Sequence, residues 1–581
     1  MSTVEEEDGL VIREQFSYFT KPKVQCRITI TQSAVSVENL STRLLERIDA
    51  TDIIGCHCMR PKGAPGHAAD DAPRPTAEFR GTQPRELDAY ICIYAYTCKK
   101  RSDGAAAHFK RRSHIFRVGK KATYEANLRL AAFWRTLVLC VARGVRLSKA
   151  TLAQAAHVAD LIPSRKPMLI LINPKSGPGH ALQVFRQRVL PILSESDVAH
   201  DVVVTSRAGE ARQLAAEQDL GQWSAVVIVS GDGLLYEVYN GIMSRPDWDA
   251  WVDFPVALVP AGSGNGMAAS VAHACGLLPA FLQNPVLTSS LGLAKRLELA
   301  MDLMMVQTET EELVGFLSLG WGLLADIDIE SERLRVLGGA RFSLWAAARV
   351  LTLRTYRGRI HYLSGQEEVV RPGDERRVER PRLERAVTIE GSSSEVVGRK
   401  RPASESVTGQ GDGDAADDGV FQELMLDQVP TPDMQARRHR LSSARDERPP
   451  IKLGIPSLDQ PPPDTWSCIE GEFVLVYGSL PSHISGDMHL NPGARLDDGL
   501  LHLHVIRAGA TRAQVFQYLL GLGDGRLTEL SFVEVYPVRA VRLVPETPSG
   551  YITLDGEVVH YGPVQAEVHR GLGRVLCPRM R

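Results

Sequence analysis

Four short apolar segments alternate with stretches of helical periodicity in the middle of the chain. The apolar segments are residues 168–172, 199–205, 225–229 and 255–259, and helical spacing covers residues 180–193 and 208–218. Strands that are apolar at nearly every position are buried on both faces, which is typical of a parallel sheet covered by helices. The pattern therefore predicts a doubly wound α/β lobe over residues 166–300.

Residues 21–150 follow a different pattern, in which short β-rich runs lead into one amphipathic stretch. The run 89–97 is rich in β-branched and aromatic residues, and residues 122–144 place apolar side chains at helical intervals. Strands followed by a helix that carries Trp134 resemble a pleckstrin-homology domain in their order, and they equally fit a plain β-rich accessory domain. Residues 1–20 are charged and are predicted to form a disordered tail.

The pattern turns towards strands again from residue 301. Short β-rich runs over residues 301–365 and 465–577 predict a second lobe, a mainly antiparallel β-sandwich. Residues 366–464 interrupt this lobe with a segment rich in charge, Ser, Gly and Pro and poor in aromatic residues. Such a segment buries too little apolar area to offset the entropy of ordering, so we predict a disordered insertion.

Two basic clusters in the insertion stand before serines. Residues 399–401 (RKR) precede Ser404, and residues 437–440 (RRHR) precede Ser442 and Ser443. Each cluster has the composition of a nuclear-import signal or of a site for a basophilic protein kinase, and each also fits a solvated charge run. Nuclear shuttling and a protein kinase as partner are hypotheses that the sequence leaves open.

Composition and charge narrow the class of protein. The 581 residues include 67 basic and 69 acidic side chains, so the net charge of −2 gives no footprint for nucleic acid. The basic patch at residues 99–101 and 110–112 fits contact with anionic lipid or a solvated loop. The acidic start does not resemble a secretory signal, and no apolar run is long enough to span a bilayer. We expect a cytoplasmic protein that associates peripherally with intracellular or plasma membranes.

The nine cysteines are scattered and odd in number, which favours reduced thiols over a disulfide framework. Cys56, His57 and Cys58 are consecutive. Two cysteines separated by a single residue, without a second Cys/His cluster, match no common metal site. We therefore predict no metal at these residues.

Glycine-rich loops follow the first, third and fourth predicted strands of the α/β lobe. They read NPKSGPG at residues 173–179, SGDG at 230–233 and PAGSGNG at 260–266. The carboxyl ends of parallel strands meet at one edge of the sheet, where nucleotides bind. No loop has the Walker or the dinucleotide pattern, but backbone N–H groups and helix N-termini suit phosphate. Asp232 is placed to accept the proton of an attacking hydroxyl.

Together the three loops, with Glu237 and residues 240–241 (NG), resemble the catalytic domain shared by diacylglycerol, ceramide and sphingosine kinases. Four further segments resemble sphingosine kinases within that superfamily. They are RPDW at 245–248, SLGWGLLADIDIESE at 318–332, LRTYRGR at 353–359 and LDGE at 554–557. The long N-terminal extension and the insertion resemble those of the larger, type 2 members. The resemblance implies transfer of phosphate from ATP, with Mg²⁺, to the primary hydroxyl of sphingosine or a related long-chain base drawn from membranes. It also implies that the second lobe, residues 301–365 and 465–577, binds this lipid.

The resemblance also implies the site residues. Asp232 is the implied general base, and Asp328 and Ser318 are the implied contacts of the substrate head. The implied nucleotide contacts are Asn173, Lys175, Thr205, Gly231, Gly233, Glu237, Ser263, Glu332, Arg335, Arg341, Asp555 and Glu557. Lys175 stands where other members often carry Arg or Phe, which is a departure from the family pattern.

Other hypotheses fit parts of the chain. A ceramide kinase would combine the same core with a pleckstrin-homology-like domain but would take a substrate that is neutral at its amide. A non-catalytic lipid-binding scaffold would keep the fold without the chemistry. On its own, Asp328 also fits a carboxylate at a helix start, and residues 497–499 (DDG) fit a turn as well as support for a metal. The joint presence of the glycine loops, Asp232 and both arginines argues against the scaffold, whereas Asp328 distinguishes a sphingosine kinase from a ceramide kinase.

Overall fold

The computed structural model describes residues 2–6, 9–19, 23–61, 87–99, 107–149, 152, 162, 165–262, 264–331, 340–365, 421–423, 453–523 and 525–579. Of the predicted insertion it describes residues 421–423 and 453–464. Ser404, Ser442, Ser443 and both basic clusters therefore lie outside the described residues. Within the described ranges, no helix combines the length and the apolarity needed to cross a membrane.

An antiparallel sheet and one long helix form the N-terminal domain. The strands are β1 Ser2–Glu6, β2 Gly9–Tyr18, β3 Gln25–Ile30, β4 Ala34–Asn39, β5 Leu45–Asp49, β6 Ile53–Pro61, β7 Ala89–Lys99 and β8 His108–Val118, joined by β17 Phe421–Glu423 from the insertion segment. The order is β17-β6-β7-β8-β2-β3-β4-β5, with β1 paired to β2. Trp134 of helix α1 (Tyr124–Ala142) is buried edge-on against Phe16, with ring centroids 5.2 Å apart. The helix thus closes the core of the sheet, while the likeness to a pleckstrin-homology domain stays a prediction.

The predicted disordered tail is wrong for the residues that the structure describes. β1 and β2 form an antiparallel hairpin, and β2 pairs with both β3 and β8. Leu10, Ile12 and Phe16 of β2 are buried in the domain core. The acidic residues before Leu10 obscured this apolar alternation, which is the ordinary signal of a half-buried strand.

Four parallel strands form the sheet of the nucleotide lobe, which confirms the predicted α/β class. They are β9 Met168–Ile172, β10 His200–Val204, β11 Val226–Ser230 and β12 Val256–Pro260, in the order β10-β9-β11-β12. Leu169 and Leu171 of β9 enter the core on one face of the sheet, whereas Ile170 and Ile172 enter the core on the other. Two cores explain why β9 is apolar at every position.

Helices cover both faces of this sheet. They are α2 Ala181–Val184, α3 Leu190–Glu195, α4 Glu210–Glu217, α5 Asp232–Met243, α6 Gly266–Ala274, α7 Leu278–Gln283 and α8 Pro285–Lys295, and a π-helical turn, Phe185–Val189, joins α2 to α3. Two of them start at the carboxyl edge of the sheet, α5 directly after β11 and α6 after the loop that follows β12. Their N-termini therefore point their unpaired N–H groups towards the same edge.

The second lobe is mainly antiparallel, as predicted. Its strands are β13 Leu297–Thr308, β14 Glu312–Gly315, β15 Ser318–Gly322, β16 Tyr356–Ser364, β18 Ser467–Ser479, β19 Leu501–Arg507, β20 Glu534–Pro545, β21 Ile552–Leu554, β22 Glu557–Val559 and β23 Val564–Cys577. β23 pairs with β13 along the length of both strands and also meets β12, so the two lobes share one sheet. The helices are α9 Leu323–Ser331, α10 Ala340–Leu351 and α11 Arg512–Gly521.

Glu195, the last residue of α3, joins the N-terminal domain to the nucleotide lobe. Its carboxylate accepts hydrogen bonds from the Tyr96 hydroxyl at 3.0 Å and from Arg111 Nε at 2.6 Å. Arg112 forms an ion pair with Glu46 inside the N-terminal domain. Two of the three cations in the second half of the basic patch are thus engaged within the protein, which disfavours this patch as a lipid contact.

Asp197 makes a second junction between the same two parts of the chain. Its carboxylate accepts a hydrogen bond from Arg135 Nη2 at 2.7 Å and lies 3.1 Å from His57 Nε2.

Burial raises the pKa of the Cys58 thiol to about 12 and that of the Cys56 thiol well above its usual value. Thiols that stay protonated are poor metal ligands, so these pKa values favour a packed core at Cys56 and Cys58, and the absence of a metal there stays a prediction. All nine cysteines lie in the described ranges, and none forms a disulfide.

We expect Asp197→Asn to lower the free energy of unfolding by about 2 kcal/mol, because it leaves the buried Arg135 without its charged partner. Asparagine tolerates the left-handed backbone that Asp197 adopts, with φ 52°, so the change tests the charge and not the turn. Urea denaturation monitored by tryptophan fluorescence measures the loss. The matched variant Asp49→Asn, in an exposed pair with Arg47, should change stability by less than about 0.5 kcal/mol. Equal effects of the two variants would contradict the role of Asp197.

Candidate functional site

The three glycine loops meet at the carboxyl edge of the parallel sheet, as their positions after the strands predict. A Cβ atom at Gly262 would lie 2.5 Å from the backbone nitrogen of Gly231, and one at Gly177 would lie 2.9 Å from the carbonyl oxygen of Ala261. The hydroxyls of Ser230 and Ser176 form a buried hydrogen bond of 3.0 Å between the first two loops. Loops packed this closely expose backbone instead of side chains, which is the surface that phosphate groups need.

Asp232 lies at the centre of this edge and is 5% exposed. It is the first residue of α5, and its carboxylate reaches the start of α6, where it accepts hydrogen bonds from the N–H groups of Gly266 at 2.7 Å and Met267 at 3.3 Å. Burial raises the pKa of Asp232 to about 6, although the two backbone donors act in the opposite direction. A carboxylate held in one orientation, with a pKa near neutral pH, has the properties of a general base.

We expect the acid limb of kcat/KM for phosphoryl transfer to have its midpoint near pH 6. The base must be deprotonated, so activity should fall as the pH drops through this value, whereas an ordinary aspartate would place the midpoint near pH 4. The folded-state pKa also lies above that of the unfolded chain, so the contribution of this group to stability should fall as pH rises from about 4 to about 6. Initial rates over a pH series measure the profile. An acid limb near pH 4 would contradict the assignment of Asp232.

Asp555 of the LDGE segment is buried opposite Asp232. It adopts φ 54° in the tight turn between β21 and β22, and its carboxylate accepts hydrogen bonds of 2.8–2.9 Å from the N–H groups of Phe316, Leu317 and Ser318. Burial raises the pKa of Asp555 to about 7, with a further contribution from the charge of Asp232. These bonds support a role in holding the chain before β15 in place, and the predicted contact of Asp555 with nucleotide stays a prediction.

The same turn connects the two candidate ligand sites. A Cβ atom at Gly556 would lie 3.1 Å from Asp328 Oδ2, and one at Gly233 would lie 3.2 Å from Glu557 Oε1. Asp328 therefore lies on one side of the turn, and the first residues of α5 lie on the other. Asp328 belongs to the second half of α9, not to its start, so the alternative explanation by the helix dipole does not apply.

Tyr477 on β18 was missed from the sequence, because one tyrosine in a strand carries no motif. Its hydroxyl donates a hydrogen bond of 2.9 Å to the Ser318 hydroxyl. Burial raises the pKa of Tyr477, and the nearby charges of Asp328, Asp555 and Asp232 act in the same direction. Ser318, Tyr477 and the three carboxylates thus share one polar region between the lobes.

The other predicted nucleotide contacts of the first lobe occupy two strand ends. The Asn173 side chain accepts a hydrogen bond from the N–H of Lys175 at 3.0 Å, and Lys175 is exposed. Thr205 follows β10 and donates to the carbonyl of Ile172 at 3.4 Å. Asn173 and Thr205 therefore frame neighbouring strand ends at the edge that carries the glycine loops.

Glu237 of α5 contacts the neighbouring helix α4. Its carboxylate accepts a hydrogen bond of 3.2 Å from the N–H of Ala211, in the first turn of α4. This contact supports a role in positioning helices α4 and α5 against each other, and contact with a nucleotide stays a prediction.

Four predicted contacts cannot be placed fully. Ser263, Glu332 and Arg335 lie outside the described residues, and of Arg341 the structure describes the backbone in α10 but not the side chain. Helices α9 and α10 lie on either side of residues 332–339, which are outside the described residues.

The DDG segment at residues 497–499 forms a turn. Asp498 accepts hydrogen bonds from the N–H groups of Arg495 and Leu500, each near 3 Å. The N–H of Gly499 donates to the buried carboxylate of Asp302 at 2.6 Å. These bonds favour the turn over the alternative of a metal-supporting segment.

Comparison with known proteins gives the context of this geometry. Residues 167–304 match the family described as "Diacylglycerol kinase catalytic domain", and residues 470–577 match "YegS C-terminal NAD kinase beta sandwich-like domain". Sphingosine kinase 2 of Homo sapiens is 34% identical over 557 residues, which cover 86% of this chain and 84% of that protein. Sphingosine kinase 1 of Homo sapiens is 34% identical over 413 residues, which cover 70% and 90%.

A solved structure of a diacylglycerol kinase from Bacillus anthracis str. Sterne aligns with a TM-score of 0.38 and 14% identity, over 72% of this chain and 98% of that chain. The two family matches fall on the two lobes of the fold. The match to the human sphingosine kinase 2 extends over most of both chains. The chain belongs to the sphingosine kinase family.

Proposed function

We propose that the protein transfers the γ-phosphoryl group of ATP to the primary hydroxyl of sphingosine and related long-chain bases, giving sphingosine 1-phosphate. The observation that carries the proposal is the buried carboxylate of Asp232, fixed by two backbone N–H groups at the edge of a glycine-lined cradle. A non-catalytic scaffold would have no need to keep an aspartate buried with its pKa raised to about 6.

The residues at this edge of the sheet are suited to binding a nucleoside triphosphate. Gly231 and Gly262 carry no side chains, so phosphate oxygens can approach the backbone of these loops and the N-terminus of α5. Asp232 and Glu557 offer carboxylate oxygens beside the cradle, the ligand type that Mg²⁺ prefers. Bound Mg²⁺ would neutralise charge on the phosphates during transfer.

The transfer follows from these positions. Asp232 accepts the proton of the substrate hydroxyl while the hydroxyl oxygen forms its bond to the γ-phosphorus. The bond from that phosphorus to the bridging oxygen of the β-phosphate breaks, and ADP leaves with the electron pair. The backbone N–H groups of the cradle hold the phosphates in line, and burial around Asp232 keeps water from taking the place of the substrate.

Asp328 is proposed to bind the ammonium group of the long-chain base. It lies beside the LDGE turn, 3.1 Å from the Cβ position of Gly556, and belongs to the polar region that includes Ser318 and Tyr477. A carboxylate in a partly buried site is a matched partner for a primary ammonium, whereas the amide of a ceramide is neutral. The arrangement therefore favours sphingoid bases over ceramide.

We expect Asp328→Asn to lower kcat/KM for sphingosine about 10- to 100-fold, which corresponds to the loss of one charge-assisted hydrogen bond. Radiolabelled ATP, Mg²⁺ and either sphingosine or ceramide in mixed micelles give the two rates. The matched variant Asp464→Asn changes an exposed aspartate and should behave as wild type. A wild-type protein that phosphorylates ceramide but not sphingosine would overturn the proposal in favour of a ceramide kinase.

We also infer that the protein contacts membranes peripherally, because long-chain bases reside in bilayers. Four large apolar side chains on two contacting helices support this inference. Leu344 and Leu351 of α10 and Phe516 and Leu520 of α11 are 49–70% exposed. Apolar side chains presented on an amphipathic helix surface favour insertion at a membrane interface. Cosedimentation with phosphatidylcholine vesicles, compared between wild type and Leu351→Ser with Leu520→Ser, would detect the contact.

A further inference from the structure

Three histidines from different parts of the chain meet at the junction of the two lobes. His273 lies in the last turn of α6, and His483 and His489 lie between β18 and β19. One ring nitrogen from each of the three lies within 4.8 Å of the others. None of them takes part in the chemistry assigned to Asp232, so the cluster calls for a separate explanation.

A tight hairpin sets two of the three side by side. His483 and His489 are paired as an antiparallel bridge, and the N–H of Ile484 donates to the carbonyl of Met488 at 3.1 Å within the turn. Residues opposite each other in such a pair project to the same face. The two imidazoles accordingly stack with centroids 4.2 Å apart and face His273, whose centroid lies 5.1 Å from that of His489.

The surroundings of the rings leave one ring nitrogen, Nε2 of His489, without a hydrogen-bond partner among the described residues. His483 is 2% exposed, and its Nδ1 lies 2.8 Å from the Ser482 hydroxyl, which directs Nε2 away from this contact. The Nε2 atom of His489 is buried. A buried polar atom left in this state costs free energy, and a bound ligand removes that cost.

We propose that His273, His483 and His489 bind one divalent first-row transition metal of the Zn²⁺ type through their ring nitrogens, with the fourth position open to water. Imidazole nitrogens suit this class of metal and do not suit Mg²⁺, so the site is distinct from the one that serves the nucleotide. Tetrahedral Zn–N bonds of about 2.0–2.1 Å place the nitrogens roughly 3.4 Å apart. Because the lone pair of an imidazole nitrogen lies in the plane of its ring, the stacked rings of His483 and His489 turn out of parallel as their nitrogens approach the metal.

The three histidines connect helix α6 of the first lobe to a loop of the second lobe. α6 begins with the two N–H groups that hold Asp232 and carries His273 in its last turn. The Ser270 hydroxyl, one turn before His273, donates to the carbonyl of His483 at 3.3 Å and accepts from its N–H at 3.0 Å. A metal ion would therefore fasten the loop of the second lobe to the helix that orients the base.

Metal titration of the full-length protein tests the proposal without any kinase assay. After removal of metal by a chelator and desalting, Co²⁺ should give visible d–d absorption that saturates at one equivalent per chain and is displaced by Zn²⁺. Zn²⁺ should also raise Tm, because it binds the folded state. His489→Gln and His273→Gln, tested separately, should each lose the absorption and the rise in Tm.

The exposed His560 supplies the matched control, and His560→Gln should keep both signals. Circular dichroism of each variant without metal shows whether it is folded, so a loss of signal in a folded variant is attributable to the ligand. Wild-type protein without Co²⁺ absorption, or variants that keep the wild-type signals, would overturn the proposal. Since neither readout uses ATP or lipid, the outcome is independent of the proposed kinase activity.

Discussion

Asp232→Asn is expected to lower kcat for phosphorylation of sphingosine by about 10²–10⁴-fold, the range that a positioned general base contributes. Asparagine has nearly the same shape, and its side-chain oxygen can still accept the 2.7 Å hydrogen bond from Gly266. It cannot accept the hydroxyl proton. The loss should therefore appear in kcat, with little change in KM for ATP.

Radiolabelled ATP with Mg²⁺ and sphingosine measures this effect, and circular dichroism checks the fold of the variant. Asp219→Asn serves as control, since the exposed carboxylate of Asp219 caps a short 3₁₀ turn in the same lobe. Equal kcat values for wild type and Asp232→Asn would remove Asp232 from the role of base. The scaffold hypothesis would then gain support if both proteins were inactive.

Gly262→Ala is expected to lower kcat/KM for ATP by about 100-fold. The added methyl group would lie 2.5 Å from the nitrogen and 2.6 Å from the Cα atom of Gly231, distances at which backbone must move. A displacement of about 1 Å in the loops that hold the phosphates is enough for a loss of this size. The same displacement would carry Asp232, the next residue after Gly231, out of line with the substrate hydroxyl.

Gly493→Ala provides the matched comparison, because a Cβ atom there meets no atom within 4 Å and the backbone needs no left-handed conformation. Initial rates at varied ATP separate KM from kcat for both variants. A Gly262→Ala protein with wild-type kcat/KM would show that the cradle is wider than its geometry indicates.

The nucleotide lobe could be predicted from the sequence because its strands are short, apolar throughout and followed at once by glycine loops. Each of these signals is local. The hairpin of β1 and β2 escaped prediction because its acidic residues resemble a solvated tail when the neighbouring strands β3 and β8 are not in view. Pairing with those strands, not propensity, orders this segment.

The residues of the site also divide into those that a local motif reveals and those that only tertiary contacts reveal. Asp232 stands in a local motif, whereas Asp555 is defined by its bonds to backbone N–H groups at residues 316–318, far away in sequence. His273 and His483 are similarly remote from each other, and no spacing rule connects them. Tyr477 is recognised as a site residue only from the carboxylates that surround it in the fold. Contacts of this kind arise from tertiary structure, so one sequence without its fold cannot reveal them.

The position of strand β23 in the sequence matters during synthesis of the protein. Ribosomes make residues 564–577 after every other described strand, yet this strand pairs with β13, β20 and β12. Until it emerges, β13 presents an unpaired apolar edge, the type of surface that aggregates or recruits chaperones. A nascent chain therefore completes the sheet that the two lobes share only after β23 has been synthesised.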